Sequence, residues 1–206
     1  MANIRVEVRS GLPPKEGPMT YIREAPFNEE DYPTLKLIKD DYGFIPNFFK
    51  VQTARPDLID AEVQFVDAIL IKEGALPRQQ KEYIFLVCSA ANLSTYCVTA
   101  HCEIIRMLKL EGPEPEQIAL DYMSTELPIV DKALLDFSVK LNNHPLKVTQ
   151  DDIDDLKTYG FSDQQILEAV MCVGLAKWAN YVGFGLGTVP DYESRIDLEK
   201  SKAIGI

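Results

Sequence analysis

The stretch Ser94-Thr95-Tyr96-Cys97-Val98-Thr99-Ala100-His101-Cys102 puts two of the chain's four cysteines and one of its two histidines within six positions. Serine favours the N-cap of a helix, so Ser94 predicts a helix start with Cys97 in the first turn. Backbone N–H groups there lack intrahelical partners and the helix dipole is positive, and both features favour a thiolate over a thiol. His101 lies four residues further on, on the same helix face. It can exchange a proton with the Cys97 sulfur directly or through water. Tyr96 sits between the cap and the cysteine.

A carboxylate completes the set. Glu82 precedes the apolar run Tyr83–Cys88. A lone buried charge needs partners. If the two helices turn back on each other at Asn92 and Leu93, His101 returns to the level of residues 82–85. Glu82 then orients His101, and Glu82, His101 and Cys97 form a relay across a helical hairpin.

The elements that must position these residues read as helices. Ile59, Val63, Val66 and Leu70 mark one helix face, Pro56 suits the first turn, and Gly74 breaks the pattern. Pro77 opens the next helix, apolar on all sides and therefore buried. The helix carrying Cys97 runs to about Leu110, before Glu111-Gly112-Pro113 stops it. Leu134, Phe137 and Leu141 share a face. Thr149 with Asp152, and Ser162 with Gln165, are capping-box pairs that start two further helices. Gly160 stops the first of them. No alternating strand pair with a tight turn appears in the body, so the fold class is all-α. One all-helical domain over 1–206 is expected, with an arm over about 1–20 and the site within 77–110. A shift of 86 residues lays Glu168 on Glu82 and Ala176 on Ala90, a weak sign of two related helical halves that chance would also produce.

Composition narrows the function classes. The formal net charge is −11, with 46% hydrophobic and 26% charged residues, ordinary for a globular protein. An acidic surface is repelled by nucleic acid and by anionic membranes, so neither is an expected partner. No secretory signal or run of about 18 apolar residues is visible. Free thiols in a reducing cytoplasm are the expectation. Cys88 and Cys172 lie in apolar runs and read as buried small hydrophobes. Cys102 is rotated about 140° from Cys97 around the helix. Glu82, Cys97 and His101 could also bind zinc with an open position, but no paired Cys-x-x-Cys or His-x-x-x-His adds to them, and no metal or cofactor is expected.

The spacing of Glu82, Ser94, Cys97 and His101 resembles that of the alkylhydroperoxidase D-like group within the carboxymuconolactone decarboxylase superfamily. That group carries Glu, then Cys twelve residues on, a second Cys three on, and His four on. The segments GFIPNFFKVQTARPDL, FSVKLNNHPLKVTQDDIDDLKTYGFSDQQILEAV and ANYVGFGLG, the last beginning at Ala179 and holding Asn180, resemble the peroxidase-related branch over about residues 40–190. The resemblance implies an all-α bundle that assembles into dimers or hexamers through its helices. It also implies thiol peroxidase chemistry on a peroxide, with Cys97 attacking, His101 moving the proton and Glu82 supporting His101. The chain departs from the pattern at Ser94, where the group has its first cysteine. Serine can hydrogen-bond Cys97 but cannot form a disulfide. An external thiol reductant, Cys102 or Cys88 standing in, or altered chemistry are the open alternatives. Others are a decarboxylase-like lyase or isomerase using Glu82 and His101 as acid and base, and a non-catalytic oligomer of the same fold.

Overall fold

Ten successive residues, 81–90, are buried in a single helix, and the rest of the architecture follows from the need to surround it. The computed structural model describes residues 21–204 apart from 23 and 27–31; the expected arm lies outside them. Among the described residues there are nine α-helices and no strand. They are α1 (Pro33–Tyr42), α2 (Asn47–Lys50), α3 (Pro56–Val66), α4 (Arg78–Ala91), α5 (Thr95–Met107), α6 (Pro115–Asp121), α7 (Ile129–Asn143), α8 (Gln150–Thr158) and α9 (Asp163–Leu186). Helix α4 packs against α9, α7, α5 and α6, which is why its apolar residues need no preferred side.

Local sequence sets most boundaries. Pro56 occupies the first turn of α3, and Pro77 is the N-cap residue of α4. The Ser162 N–H donates to Gln165 Oε1 at 2.9 Å while the Gln165 N–H donates to Ser162 Oγ at 3.3 Å, the capping box that starts α9. In α8 the Thr149 N–H donates to Asp152 Oδ2 at 2.8 Å. Two ends differ from the expected ones. Helix α3 widens into a π turn over Asp67–Ile71, which leaves both Ile69 and Leu70 buried. Helix α5 stops at Met107, because Lys109 turns the chain through the left-handed region at φ 51°.

The turn between α4 and α5 falls where the hairpin reading puts it. Asn92 closes α4 and Ser94 opens α5. Between them Leu93 holds φ 60°, a conformation that costs a residue with a side chain about 1–2 kcal/mol. The strain sits directly before the start of α5, where it fixes the angle at which that helix leaves α4.

Helix α9 is the one helix among the described residues long and apolar enough to cross a membrane, but it packs on α4, α7 and α5 as a core helix. Glu168 on α9, the echo of Glu82, has a structural task. Its carboxylate accepts the N–H groups of Ala75 and Leu76, both at 2.8 Å, and lies 3.6 Å from the buried Lys81 Nζ. A side chain at Gly74 would collide with that carboxylate, so the glycine that ends the preceding segment is also required by close approach.

Candidate functional site

The hairpin brings Glu82 and His101 together. His101 Nδ1 lies 2.6 Å from Glu82 Oε2. The other carboxylate oxygen accepts from Arg78 Nε at 2.6 Å, with Arg78 Nη2 also 2.6 Å away. Burial alone would push the Glu82 carboxyl up, but His101 and Arg78 outweigh it and hold it below the usual carboxylate range. An ionised Glu82 takes the Nδ1 proton of His101 as a donor and leaves Nε2 as the free nitrogen. The ring is stacked on Phe85, with centroids 3.9 Å apart. Arg78 stands one turn before Glu82, so its pairing is visible as an i, i+4 spacing. Motif spacing from Glu82 to His101 points to neither Arg78 nor Phe85.

Cys97 lies in the first turn of α5 behind Ser94, as expected, but its thiol does not behave as the helix start predicts. Burial pushes the Cys97 thiol up, and hydrogen bonds with Ser94, Asn180 and Ser89 oppose that rise. The correction has a plain cause: the sulfur is enclosed, and desolvation penalises a thiolate more than the helix terminus favours it. Ser94 takes the N-cap position without a side-chain capping bond; its hydroxyl serves the sulfur instead. His101 is not among the polar neighbours of the sulfur. The two residues meet as parts of one cavity wall.

Behind the sulfur runs a buried polar chain that no local pattern marks. Asn180 Nδ2 donates to Ser89 Oγ at 3.0 Å, and Asn92 Nδ2 donates to Asn180 Oδ1 at 2.8 Å. Lys177 Nζ donates to Asn92 Oδ1 at 2.9 Å. These residues come from α4, the turn and α9, so the third helix holds the back of the Cys97 site.

Tyr96 braces the other side. Its hydroxyl donates to Asp191 Oδ2 at 2.6 Å and accepts the Phe48 N–H at 3.2 Å. Asp191 also accepts the Asn47 N–H at 3.1 Å. Burial raises the Asp191 carboxyl, while Tyr96 and the Asn47 amide pull against it. Tyr96 therefore ties α5 to the segments that close the cavity.

That cavity, of about 130 Å³, is lined by Cys97, His101 and Arg78 and by a set of aromatic side chains that includes Phe44, Phe48, Phe85, Tyr96, Trp178 and Tyr192. Cys88, Cys102 and Cys172 are buried, free and outside its wall. Burial pushes the thiols of Cys102 and Cys172 up to about 12, and that of Cys88 further. Among the described residues, no three His, Cys, Asp or Glu side chains converge closely enough to hold a metal ion.

Neither a family model nor a curated protein matches the sequence. Solved structures do. An uncharacterised peroxidase-related protein from Ralstonia eutropha JMP134, described as an alkylhydroperoxidase AhpD core, is 26% identical, with TM-score 0.78 over 85% of this chain and 94% of that one. An uncharacterised peroxidase-related protein from Silicibacter sp. TM1040 is 21% identical, with TM-score 0.80 over 89% and 98%. The debrominase Bmp8, solved in complex with 2,3,4-tribromopyrrole, is 18% identical, with TM-score 0.68 over 81% and 90%; enzymes of more than one activity thus share this helical arrangement. By fold, this chain is a member of the alkylhydroperoxidase D-like superfamily.

Proposed function

We propose that the protein is a thiol-dependent peroxidase in which Cys97 is the nucleophile. The observation that carries this reading is that Cys97 and the Glu82-held His101 line one apolar cavity. The resting thiol keeps its proton. When a peroxide fills the cavity, the free Nε2 of His101 takes that proton and the sulfur attacks the nearer peroxide oxygen. The O–O bond breaks, the leaving oxygen recovers the proton from His101 as an alcohol, and Cys97 is left as a sulfenic acid. Glu82 stabilises the transient imidazolium, and Arg78 keeps Glu82 ionised and in place.

Ser94 cannot resolve the sulfenic acid, and neither Cys88 nor Cys102 reaches the cavity wall. The return step therefore falls to an external thiol, which condenses with the sulfenic acid and releases water. A second thiol then frees Cys97 and leaves the reductant as a disulfide. A reducing cytoplasm supplies such thiols.

Rapid mixing with substoichiometric peroxide, followed by mass spectrometry on each cysteine, tests the scheme. Sulfenic acid is expected at Cys97 first. Excess peroxide without reductant is expected to carry Cys97 to the sulfinic acid. Cys97→Ser is expected to reduce turnover to the uncatalysed background. Unchanged turnover in that variant would instead favour acid–base chemistry by Glu82 and His101 without the sulfur.

The same reading includes assembly with a second copy. Leu167, Val170, Met171, Trp178, Tyr181 and Phe184 are exposed along one side of α9, and a side chain at Gly174 would meet nothing. A two-fold axis sets such a stripe against itself. It is also a face free of the acidic residues that give the chain its net charge of −11 and would make two copies repel. Light scattering at micromolar concentration checks it; a monomer there, or an unchanged oligomer in Tyr181→Glu, removes the proposal.

A further inference from the structure

The cavity wall contains one polar atom that the peroxidase scheme leaves idle. Glu62, on α3, is only 6% exposed, and its Oε2 has no hydrogen-bond partner. Other polar groups of the wall are engaged: Arg78 and His101 with Glu82, and Tyr96 with Asp191. Two other buried side-chain oxygens without partners, on Gln80 and Thr188, do not line the cavity. An orphaned buried acceptor costs about 1–3 kcal/mol, so its place in a cavity wall asks for an occupant that bonds to it.

The cavity says what kind of occupant. Its volume of about 130 Å³ is of the order that takes a single six-membered ring, since an apolar cavity of about 150 Å³ binds benzene. Aromatic rings make up much of its wall and favour a flat, apolar ligand. Gln52 hydrogen-bonds the Glu62 carboxyl, but burial outweighs that bond and raises it to about 7. No coulombic partner faces it: Arg78, the cation of the wall, is spent on Glu82. A cationic guest would meet Arg78 and an anionic guest would meet Glu62, so the ligand is neutral.

We propose that this cavity binds a small, neutral, aromatic compound carrying one O–H or N–H donor, with the ring among the aromatic side chains and the donor on the free oxygen of Glu62. Glu62 is thereby a positioning and specificity residue, which turns the ligand so that its remaining substituent faces Cys97 and His101. As a statement about substrate this rests on the Cys97 reading and narrows the peroxide to an aryl-bearing organic hydroperoxide. As a statement about binding it stands without the sulfur.

The chain's single tryptophan, Trp178, lines the cavity and reports occupancy through its fluorescence, excited beyond the absorption of the probe. The probes are phenol, its methyl ether anisole, and toluene, titrated into the wild-type protein with calorimetry as a second readout. Phenol is expected to bind about tenfold more tightly than either apolar analogue, the discrimination one hydrogen bond to a buried acceptor gives. Glu62→Leu is expected to abolish that preference while keeping or improving toluene affinity, and Glu62→Gln, which retains an acceptor oxygen, to keep part of it. Equal affinities for phenol and toluene in the wild type, or an undiminished preference in Glu62→Leu, would overturn the proposal. If Glu62→Leu does not fold, the phenol–anisole comparison and Glu62→Gln still decide it. The two readings fail separately: loss of the phenol preference leaves the Cys97→Ser turnover result intact, and turnover surviving Cys97→Ser leaves the ring site intact.

Discussion

Two buried carboxylates serve one cavity, and the fold has treated them differently. Glu82, on α4, stands behind His101, fully buried and fully engaged, with Arg78 on one oxygen and the imidazole on the other. Glu62, on α3, lines the wall, is nearly as buried and keeps one oxygen without a partner. The first therefore stays charged and the second drifts toward neutrality, its carboxyl raised to about 7. Burial alone does not decide the charge of a carboxylate; the groups placed against it do. A fully partnered carboxylate orients a base, and an unpartnered one waits for a ligand.

The comparison breaks most visibly at the histidine that Glu82 holds. His101→Ala is expected to lower peroxide turnover by about 10²–10⁴-fold, the usual worth of a positioned proton-transfer group, with little change in the phenol preference of the cavity. Steady-state kinetics with an external thiol measures the first and fluorescence the second. A loss of about tenfold or less would take His101 out of the relay.

Removing Glu82 strikes the charged group itself. Glu82→Leu leaves Arg78 facing a buried gap and is expected to cost on the order of 3–5 kcal/mol in denaturant unfolding, the penalty for breaking a buried ion pair from one side. At Glu62 the sign reverses. A carboxyl whose folded pKa lies above its unfolded value stabilises the fold relative to the charged state below the unfolded value, and that contribution is lost as pH rises through the folded value. For Glu62 the window runs from about 4.5 to about 7. Wild-type stability is expected to fall by about 3 kcal/mol across it, from this residue alone, at about 1.36 kcal/mol for each pH unit of separation. Glu62→Leu is expected to remove that slope and be more stable than wild type at about pH 8, above the folded value, as read from unfolding curves of the two proteins at matched pH. Parallel pH profiles would show that Glu62 has partners in solution that keep it charged.

The smallest effect is sought behind the sulfur. Asn180→Ala removes one hydrogen bond to the Cys97 sulfur and leaves Asn92 and Ser89 short of a partner. A cost of about 1–3 kcal/mol is expected, together with slower alkylation of Cys97 near neutral pH, because the bond that favours the thiolate is gone. Alkylation as fast as in wild type would confine Asn180 to packing.

Much of this site is legible in the amino-acid sequence. Residue type and helical spacing single out Glu82, Cys97 and His101, and Asn92 and Leu93, standing between two helical patterns, mark the hairpin that joins them. Those are local relations, and helical geometry fixes which side chains within one or two turns share a face. The all-α class and both capping boxes are readable for the same reason. The state of the thiol is not. The first turn of α5 predicts a lowered thiol, whereas enclosure by α4, α9 and the aromatic wall raises it.

Enclosure is a sum over segments far apart in the chain, and no local pattern records it. Asp191 reaches Tyr96 across 95 residues, and Asn180 reaches Ser89 across 91. In the sequence Glu62 is one acidic residue on an amphipathic helix, and only packing shows that one of its oxygens is buried without a partner. The sequence by itself determined which residues could do chemistry and which helices carry them, because the helical repeat of about 3.6 residues per turn is a property of the backbone. The tertiary structure alone decided which charges survive, which sulfur has a cavity and which oxygen is left over, because desolvation depends on everything that surrounds an atom.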